Sequence, residues 1–219
     1  NGRRAEHIRR VQRAAIGDTL RAGILDGSIG SVELLDDDGE KIHLRYQAGQ
    51  QTPPAALSLK LVIALPRPKM VNRLLQAATA MGVKQLVLIN SWRVEKSYWN
   101  SPQLSDENIR QQLLLGLEQG VDTVLPVVSL EPRFKPFVED RLDEFCADSL
   151  RLVAHPSGTA SCPVGLQQPA TLVIGPEGGL IDYEVELLQA QGFAAVTLGP
   201  RILRVETAVV ALISRLYPA

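Results

Sequence analysis

The sequence has few cysteines, few aromatic residues and no long apolar stretch. Its 219 residues include two cysteines, Cys146 and Cys162, and aromatic residues make up 5%. Two cysteines do not make a disulfide framework or a zinc site, so we expect reduced thiols in a cytoplasmic protein without a metal centre. The longest apolar runs, such as Leu61–Leu65, have about five or six residues, whereas ~20 span a bilayer. No signal peptide is visible, and no membrane contact is expected.

Neither sign of charge dominates the chain. Lys and Arg number 23 against 24 Asp and Glu, while hydrophobic residues make up 45%, which excludes intrinsic disorder. The balance disfavours a generic polyanion binder, but local distribution decides the field that a ligand meets. The first 21 residues carry six arginines and two acids. This basic start is either an RNA contact or a solvated helix face. The chain begins at Asn1 rather than Met, which predicts a fragment or a lost start.

The patterning divides the chain near residue 55. Residues 1–55 predict a small β-rich domain, with a helix at Ala5–Arg13 and strands at Thr19–Leu25, Ser31–Leu35 and Lys41–Tyr46. Residues 50–54 form a polar, proline-containing linker in this interpretation.

From residue 56 to 219, apolar strands alternate with helices, which predicts a parallel sheet covered on both faces. The predicted strands are Leu59–Leu65, Gln85–Ile89, Thr123–Val128, Leu150–Ala154, Thr171–Ile174 and Ala194–Leu198. The predicted helices include Asn108–Glu118, Phe134–Ser149, Tyr183–Gln191 with Asp182 as its cap, and a last one with an apolar face from Val205 to Leu216.

Two glycine-containing segments follow neighbouring strands of this predicted sheet. The first reads Gly-Pro-Glu-Gly-Gly-Leu over Gly175–Leu180, and the second reads Leu-Gly-Pro-Arg-Ile-Leu-Arg-Val-Glu-Thr-Ala over Leu198–Ala208. Ligands of open α/β sheets bind at the carboxyl ends of strands. Neither spacing matches a dinucleotide or nucleoside triphosphate loop, which disfavours an oxidoreductase. The alternatives are a shared ligand crevice, or plain tight turns with helix capping.

The two segments closely resemble the RsmE family of SPOUT-class methyltransferases, which modify N3 of a uridine in 16S ribosomal RNA. The resemblance covers nearly the whole chain and implies an α/β fold. It implies a SPOUT-type parallel sheet with a deep trefoil knot, preceded by a PUA-like β-barrel that binds RNA. It also implies the cofactor S-adenosylmethionine, a homodimer, and 16S ribosomal RNA or the small ribosomal subunit as partner, with no role for DNA.

The resemblance further implies which residues act. Arg204 would stabilise charge on the uracil, Glu206 would act as general base or orient Arg204, and Thr207 would bond the base edge or cap the helix. The implied cofactor-binding residues are His155, Ile174, Gly175, Pro176, Glu177, Gly178, Gly179, Leu198, Gly199, Ile202, Leu203 and Arg204. The predicted RNA-binding residues are Arg9, Arg10, Arg13 and Arg93. For His155 a structural role is the alternative.

The chain departs from the family pattern at three places in the first half of the larger domain. After Leu65 it carries Pro66-Arg67-Pro68, where glycine and charge are more usual. Trp92 stands where the family has a glutamate before Arg93, and Asp122 stands near a usual arginine. These departures leave two alternatives open: a divergent paralogue with another RNA target, or a largely non-catalytic RNA-binding protein of the same fold. Trp92, Tyr98 and Trp99 either stack on RNA bases or pack within the protein.

Overall fold

The computed structural model describes residues 2–218, which form two compact units. One unit comprises the residues up to Pro54 together with Val121–Val124, and the other comprises Ala55–Gly120 and the residues from Leu125 onward. Cys146 and Cys162 are buried and unpaired, and burial raises the pKa of both thiols. None of the helices within 2–218 is long and apolar enough to cross a membrane.

The smaller unit is a three-stranded antiparallel sheet with a helical start. Its elements are helix α1 (Gly2–His7), a π-helical turn (Ile8–Gln12), and strands β1 (Thr19–Gly23), β2 (Ile29–Asp37) and β3 (Ile42–Gln51). The strands pair in the order β1-β2-β3. Strand β3 runs on to Gln51, so the linker predicted from residue 50 begins too early. The PUA-like barrel stays a prediction.

The larger unit is built on a seven-stranded sheet in which every paired neighbour is parallel. The strands are β4 (Leu59–Ala64), β5 (Gln85–Ile89), β6 (Val127–Glu131), β7 (Leu150–Ala154), β8 (Ala160–Ser161), β9 (Ala170–Ile174) and β10 (Ala194–Thr197). Their order is β6-β5-β4-β9-β7-β10-β8. The prediction of an α/β fold with a parallel sheet is confirmed.

Helices connect these strands, as the alternating pattern predicts. They are α2 (Pro68–Ala80), α3 (Asp106–Gly120), α4 (Phe134–Asp140), α5 (Leu142–Phe145), α6 (Asp182–Ala190) and α7 (Val205–Leu216). Two short 3-10 turns, Lys96–Asn100 and Pro102–Leu104, lie between β5 and α3.

Three predictions about these elements are wrong. The strand expected at Thr123–Val128 begins only at Val127, because Asp122 Oδ1 accepts the N–H groups of Thr123 and Val124 and turns the chain. The helix expected at Phe134–Ser149 breaks at Arg141, whose backbone leaves the helical region at φ −130°. Asp182 is the first residue of α6, and Ile181 holds the cap position.

The core of the larger unit lies between the sheet and its helices. Leu61, Ile63 and Leu172 are fully buried in central strands, which explains why these strands are apolar without alternation. Helix α2 turns Val71, Leu74, Leu75 and Ala78 toward them. Burial of each of these valine, leucine and isoleucine side chains stabilises the fold by about 1.5–3 kcal/mol.

Gly116 sets the approach of α3 to α2. A Cβ atom at Gly116 would lie 2.5 Å from Cβ of Thr79 and 2.8 Å from the carbonyl oxygen of Gln76. One obstacle is a backbone atom of α2 and the other is a Cβ atom fixed to its backbone, so neither can rotate away. The close contact between the two helices therefore requires a residue without a side chain.

Gly116→Ala is expected to destabilise the protein by about 1–3 kcal/mol, because the methyl group overpacks this contact. The measurement is the urea midpoint of unfolding followed by circular dichroism. Gln111→Ala, at an exposed position of the same helix, is the control and should shift stability by less than about 0.5 kcal/mol. An unchanged urea midpoint for Gly116→Ala would mean that α2 and α3 can move apart without loss of stability.

Candidate active site

The carboxyl ends of all seven strands meet at one edge of the sheet, because the strands are parallel. A cavity of about 260 Å³ opens at this edge. Three loops and one helix form its walls, and they follow β7, β9 and β10. The lining residues are Ala154, His155, Pro156, Ile174, Gly175, Pro176, Glu177, Gly178, Gly179, Leu180, Val196, Thr197, Leu198, Gly199, Pro200, Arg201, Ile202, Leu203, Val205, Ala208 and Leu212.

The loop after β9 is held tightly in place. The Gly179 N–H donates to the Pro176 carbonyl at 2.8 Å, which closes a turn with Gly179 at φ +75°. A Cβ atom at Gly175 would lie 3.0 Å from the backbone nitrogen of Leu180, so the chain doubles back closely there. Glu177 Oε1 accepts the N–H of Arg67 at 3.0 Å and ties this loop to the end of β4.

The loop after β10 is open by comparison. Gly199 adopts φ +123°, and its N–H donates to Thr197 Oγ1 at 3.2 Å. Within the part of the chain that the structure describes, Arg201, Ile202 and Leu203 make no hydrogen bond. Ile202 is 84% exposed. This loop therefore offers free backbone donors and acceptors beside apolar side chains, which suits a ligand with both polar and apolar parts.

His155 joins two walls of the cavity. Its backbone N–H donates to the Val196 carbonyl at 3.0 Å. Its Nε2 lies 3.4 Å from the carbonyl oxygen of Leu180, while Nδ1 lies 2.7 Å from Oγ of Ser157. The tautomer with a proton on Nε2 donates to Leu180 and accepts from Ser157. These contacts join the start of the loop after β7 to β10 and to the loop after β9.

The predicted catalytic residues lie together at the start of α7. Arg204 is the residue before the helix, and Glu206 and Thr207 are in its first turn. Arg204 and Thr207 are exposed and Glu206 is half-buried. Within residues 2–218 the side chains of Arg204 and Glu206 have no ionic or hydrogen-bonded partner. Their charged groups are thus available to a substrate.

Eleven of the twelve predicted cofactor residues line the cavity, and Arg204 does not. Val205, Ala208 and Leu212 of α7 also line the cavity, although the sequence analysis gave them no role in cofactor binding. Their one-face spacing was visible in the sequence, but it predicts core packing equally well.

The predicted RNA-binding arginines differ in how free they are. Arg9 forms a bidentate ion pair with Asp37, with its Nε at 2.8 Å from Oδ2. Arg10 pairs with Glu6 at 3.0 Å on an exposed helix face. Arg13 is exposed and ends the π-helical turn in the left-handed region at φ +53°.

Arg93 lies in the larger unit, where its guanidinium donates to the carbonyl of Gly178. A Cβ atom at Gly178 would lie 3.1 Å from Cδ of Arg93, so the glycine makes room for the arginine stem. Arg93 thereby contacts the glycine-rich loop that lines the cavity. Its predicted role in RNA binding stays a prediction.

Glu184 is a buried carboxylate that sequence analysis missed. It is only 3% exposed, and its Oε1 accepts the Trp92 N–H at 2.8 Å. Its Oε2 accepts the Ile181 N–H at 3.0 Å. The carboxylate therefore joins the loop after β5 to the start of α6. In the sequence it reads only as an acid in the first turn of a helix, which the macrodipole already explains.

No cluster of His, Cys, Asp and Glu among the described residues could hold a metal ion. A sequence model of the RNA methyltransferase domain matches residues 53–217.

The chain belongs to the RNA methyltransferase family.

Curated relatives of this methyltransferase agree with the resemblance found in the motifs. This chain is 29% identical over 206 residues to a ribosomal RNA small subunit methyltransferase E from Treponema pallidum. The aligned residues cover 92% of this chain and 77% of the relative. This chain is 23% identical over 215 residues to ribosomal RNA small subunit methyltransferase E 1 from Borreliella burgdorferi, covering 96% and 88%. The predicted family is confirmed.

Solved structures share the fold of this methyltransferase. One is a methyltransferase from Legionella pneumophila in complex with the cofactor SAM, at TM-score 0.73 and 22% identity, covering 95% of this chain and 86% of that one. Another is ribosomal RNA small subunit methyltransferase E from Neisseria gonorrhoeae bound to S-adenosyl methionine, at TM-score 0.71 and 19% identity, covering 96% and 87%.

Glu184→Gln is expected to destabilise the methyltransferase by about 1–3 kcal/mol, because the new amide NH₂ would face a backbone N–H and leave a buried donor unpaired. The free energy of unfolding in urea measures the loss. Glu186→Gln, at an exposed position of the same helix, changes the same charge and should leave stability nearly unchanged. Equal effects of the two substitutions would contradict the role given to Glu184.

The ion pair between Arg9 and Asp37 predicts that the Asp37 carboxyl titrates at an unusually low pH. The Arg9 guanidinium and the Gly39 N–H lower the pKa of the Asp37 carboxyl to about 2. The pair therefore stabilises the fold fully above the ordinary carboxyl pKa of about 3.9, and this contribution is lost as pH falls through about 2. Carboxyl NMR should find the low pKa. Arg9→Ala should raise it toward the ordinary value, whereas Arg10→Ala should not.

Proposed function

We propose that this methyltransferase transfers a methyl group from S-adenosylmethionine to N3 of a uridine in 16S ribosomal RNA. One observation carries the proposal: two glycine-containing loops and the start of α7 enclose a single cavity at the carboxyl edge of the parallel sheet. The relatives named ribosomal RNA small subunit methyltransferase E support the substrate class. The SAM-bound structures of the same fold support the cofactor.

The cavity walls fit a molecule such as S-adenosylmethionine. Apolar groups from Ile174, Leu180 and Val205 would accommodate its adenine ring. The unpaired backbone groups of 201–203 would bond its polar edges. The volume of about 260 Å³ is slightly below the roughly 300–1,000 Å³ of ligand pockets, and the exposed loop after β10 leaves the cavity open on one side.

The cofactor, when bound, supplies an electrophilic sulfonium methyl group. The protein must then orient the uracil and assist loss of the N3 proton. Glu206 is the candidate base, since its carboxylate has no partner among the described residues. Arg204 would stabilise the negative charge that spreads over the uracil oxygens and N3. Thr207, exposed in the first turn of α7, would hydrogen-bond the base edge.

The charges around the cavity edge favour an anionic substrate. The loops between the carboxyl ends of the strands and the next element contain five arginines and two glutamates. The arginines are Arg67, Arg93, Arg133, Arg201 and Arg204, and the glutamates are Glu95 and Glu177. The whole chain has a net charge of −1, so positive charge is concentrated at this edge. Phosphate groups of RNA would be attracted there.

The contacts of the last helix support the deep trefoil knot. The segment from His155 to Pro169 is bonded to β10 at two points: the His155 N–H at its start donates to the Val196 carbonyl, and the Cys162 N–H at its middle donates to the Thr197 carbonyl. Near its end the Leu166 N–H donates to the Leu216 carbonyl at the end of α7. The segment from β10 to α7 thus contacts both arms of this loop, as expected if the chain threads it.

The proposed function also includes a homodimer, the small ribosomal subunit as substrate and a cytoplasmic location.

A divergent paralogue with another RNA target is the second candidate. The observation that favours it is Trp92, which replaces the expected glutamate and lies beside the residue that bonds Gly178. The same cofactor and chemistry would apply, with a different flanking sequence.

The test is methyl transfer from radiolabelled S-adenosylmethionine to unmodified 16S RNA or small subunits, with nucleoside mass spectrometry of the product. Wild type is expected to form 3-methyluridine. Arg204→Ala should lower kcat about 10²–10³-fold, and Glu206→Gln about 10²–10⁴-fold. Calorimetry should find the cofactor affinity within a few-fold of wild type for Glu206→Gln.

Arg110→Ala, at an exposed position of α3, is the matched control and should leave turnover unchanged. Full turnover by both site variants would remove Arg204 and Glu206 from the mechanism. A methylated product other than 3-methyluridine would favour the paralogue.

A further inference from the structure

Trp92 is an aromatic side chain that the fold exposes almost completely. The residue is 79% exposed, and it lies in the loop after β5 on the carboxyl edge of the sheet. The chain contains only one other tryptophan, Trp99, which is half-buried and donates its Nε1–H to Asn90 at 2.9 Å. Trp92 has no such indole bond among the described residues. Folding therefore leaves a large apolar surface in water at this position.

The backbone that carries Trp92 is fixed. Its N–H is held by the buried carboxylate of Glu184 at 2.8 Å. The flanking Ser91 and Val94 are buried, and the Val94 N–H donates to the Ser91 carbonyl at 3.1 Å to close a turn. The indole thus stands on a rigid support, so ordering it on a ligand requires little loss of backbone entropy.

The position of Trp92 connects it to the cavity. The next residue, Arg93, bonds the carbonyl of Gly178, and Gly178 lines the cavity wall. Trp92 is therefore connected to the cavity wall through one residue and one hydrogen bond. A nucleotide beside a target base in the cavity would pass this part of the rim.

The neighbours of Trp92 favour RNA over a protein surface. Arg93, Glu95 and Lys96 are exposed on the same short segment, so three of the four residues that follow Trp92 present charged side chains to solvent. The cores of protein interfaces are depleted of charged residues. Single-stranded RNA instead combines a charged backbone with bases that stack on aromatic rings. The arginine excess at this edge supplies the complementary charge.

We propose that Trp92 is a stacking platform for an unpaired nucleotide that flanks the methylated base. The inference rests on the proposed function, and it adds a specificity contact outside the cofactor cavity. The contact involves the face of the base, and no bond is formed or broken there.

Tryptophan fluorescence tests the contact directly. In Trp99→Phe, Trp92 is the sole tryptophan and should emit at the long wavelength of an exposed indole. A single-stranded RNA of about 10 nucleotides, with the uridine at its centre, should quench this emission. In the matched variant Trp92→Phe, the remaining Trp99 should change little. No quenching in Trp99→Phe at saturating RNA would overturn the proposal.

Substitution gives a second readout. Trp92→Ala should weaken RNA binding and raise the RNA KM about 5- to 150-fold, corresponding to about 1–3 kcal/mol for one stacked base. Trp92→Phe should recover most of this loss, and calorimetry should find the cofactor affinity unchanged in both. A merely structural role would instead lower the melting temperature and kcat. Unchanged RNA affinity in a folded Trp92→Ala protein would contradict stacking.

Two further outcomes are informative. In the absence of RNA, the Trp92 emission could be blue-shifted, with a shift that depends on protein concentration. That result would mean that a second copy of the chain covers the indole, and the proposal would be wrong. If wild type neither binds S-adenosylmethionine nor methylates RNA, the proposed function fails. Quenching of Trp92 by RNA would still identify the stacking contact in that case.

Discussion

The common direction of all seven strands is the constraint on which the site depends. The central strands are buried, which leaves polar groups mainly to their ends, and parallel alignment brings every carboxyl end to one edge. Residues far apart in sequence meet there. Glu177 bonds the backbone of Arg67 across 110 positions. The cavity is therefore a consequence of strand order, and the loops after β7, β9 and β10 each contribute to its walls.

The walls differ in how far the protein completes them by itself. Four side chains form hydrogen bonds to backbone groups of neighbouring loops. They belong to Glu177, His155, Glu184 and Arg93. These bonds fix the β9 side of the cavity before any ligand arrives. Residues 201–203 have no such bonds within the described chain. A rigid wall facing an open one suits a site in which the ligand supplies the last contacts, since most of the ordering has already been done by folding.

The parts of the fold that could be predicted are those where burial decides the sequence. Strands Gln85–Ile89 and Leu150–Ala154 occur with the predicted bounds, because a strand buried on both faces reads as a short apolar run. The strand expected from Thr123 failed because a single Asp122 side chain turns the backbone. The glycine-containing loops carried a motif. No sequence motif marks Glu184. Its partners are backbone N–H groups, which nearly every residue has, so the identity of the partner residues gives no signal in the sequence.

The same limit applies to charge. An arginine in the sequence says nothing about whether its guanidinium is free, and the structure separates the two cases. Arg9 is paired with Asp37, and Arg93 is bonded to Gly178, whereas the side chain of Arg204 has no partner within residues 2–218. The basic start of the chain is therefore partly neutralised within its own unit, while the sheet edge keeps unpaired positive groups beside a cavity. If RNA is the substrate, the charge that attracts it and the residues that would act on it belong to the same edge, and a net charge near zero is no obstacle.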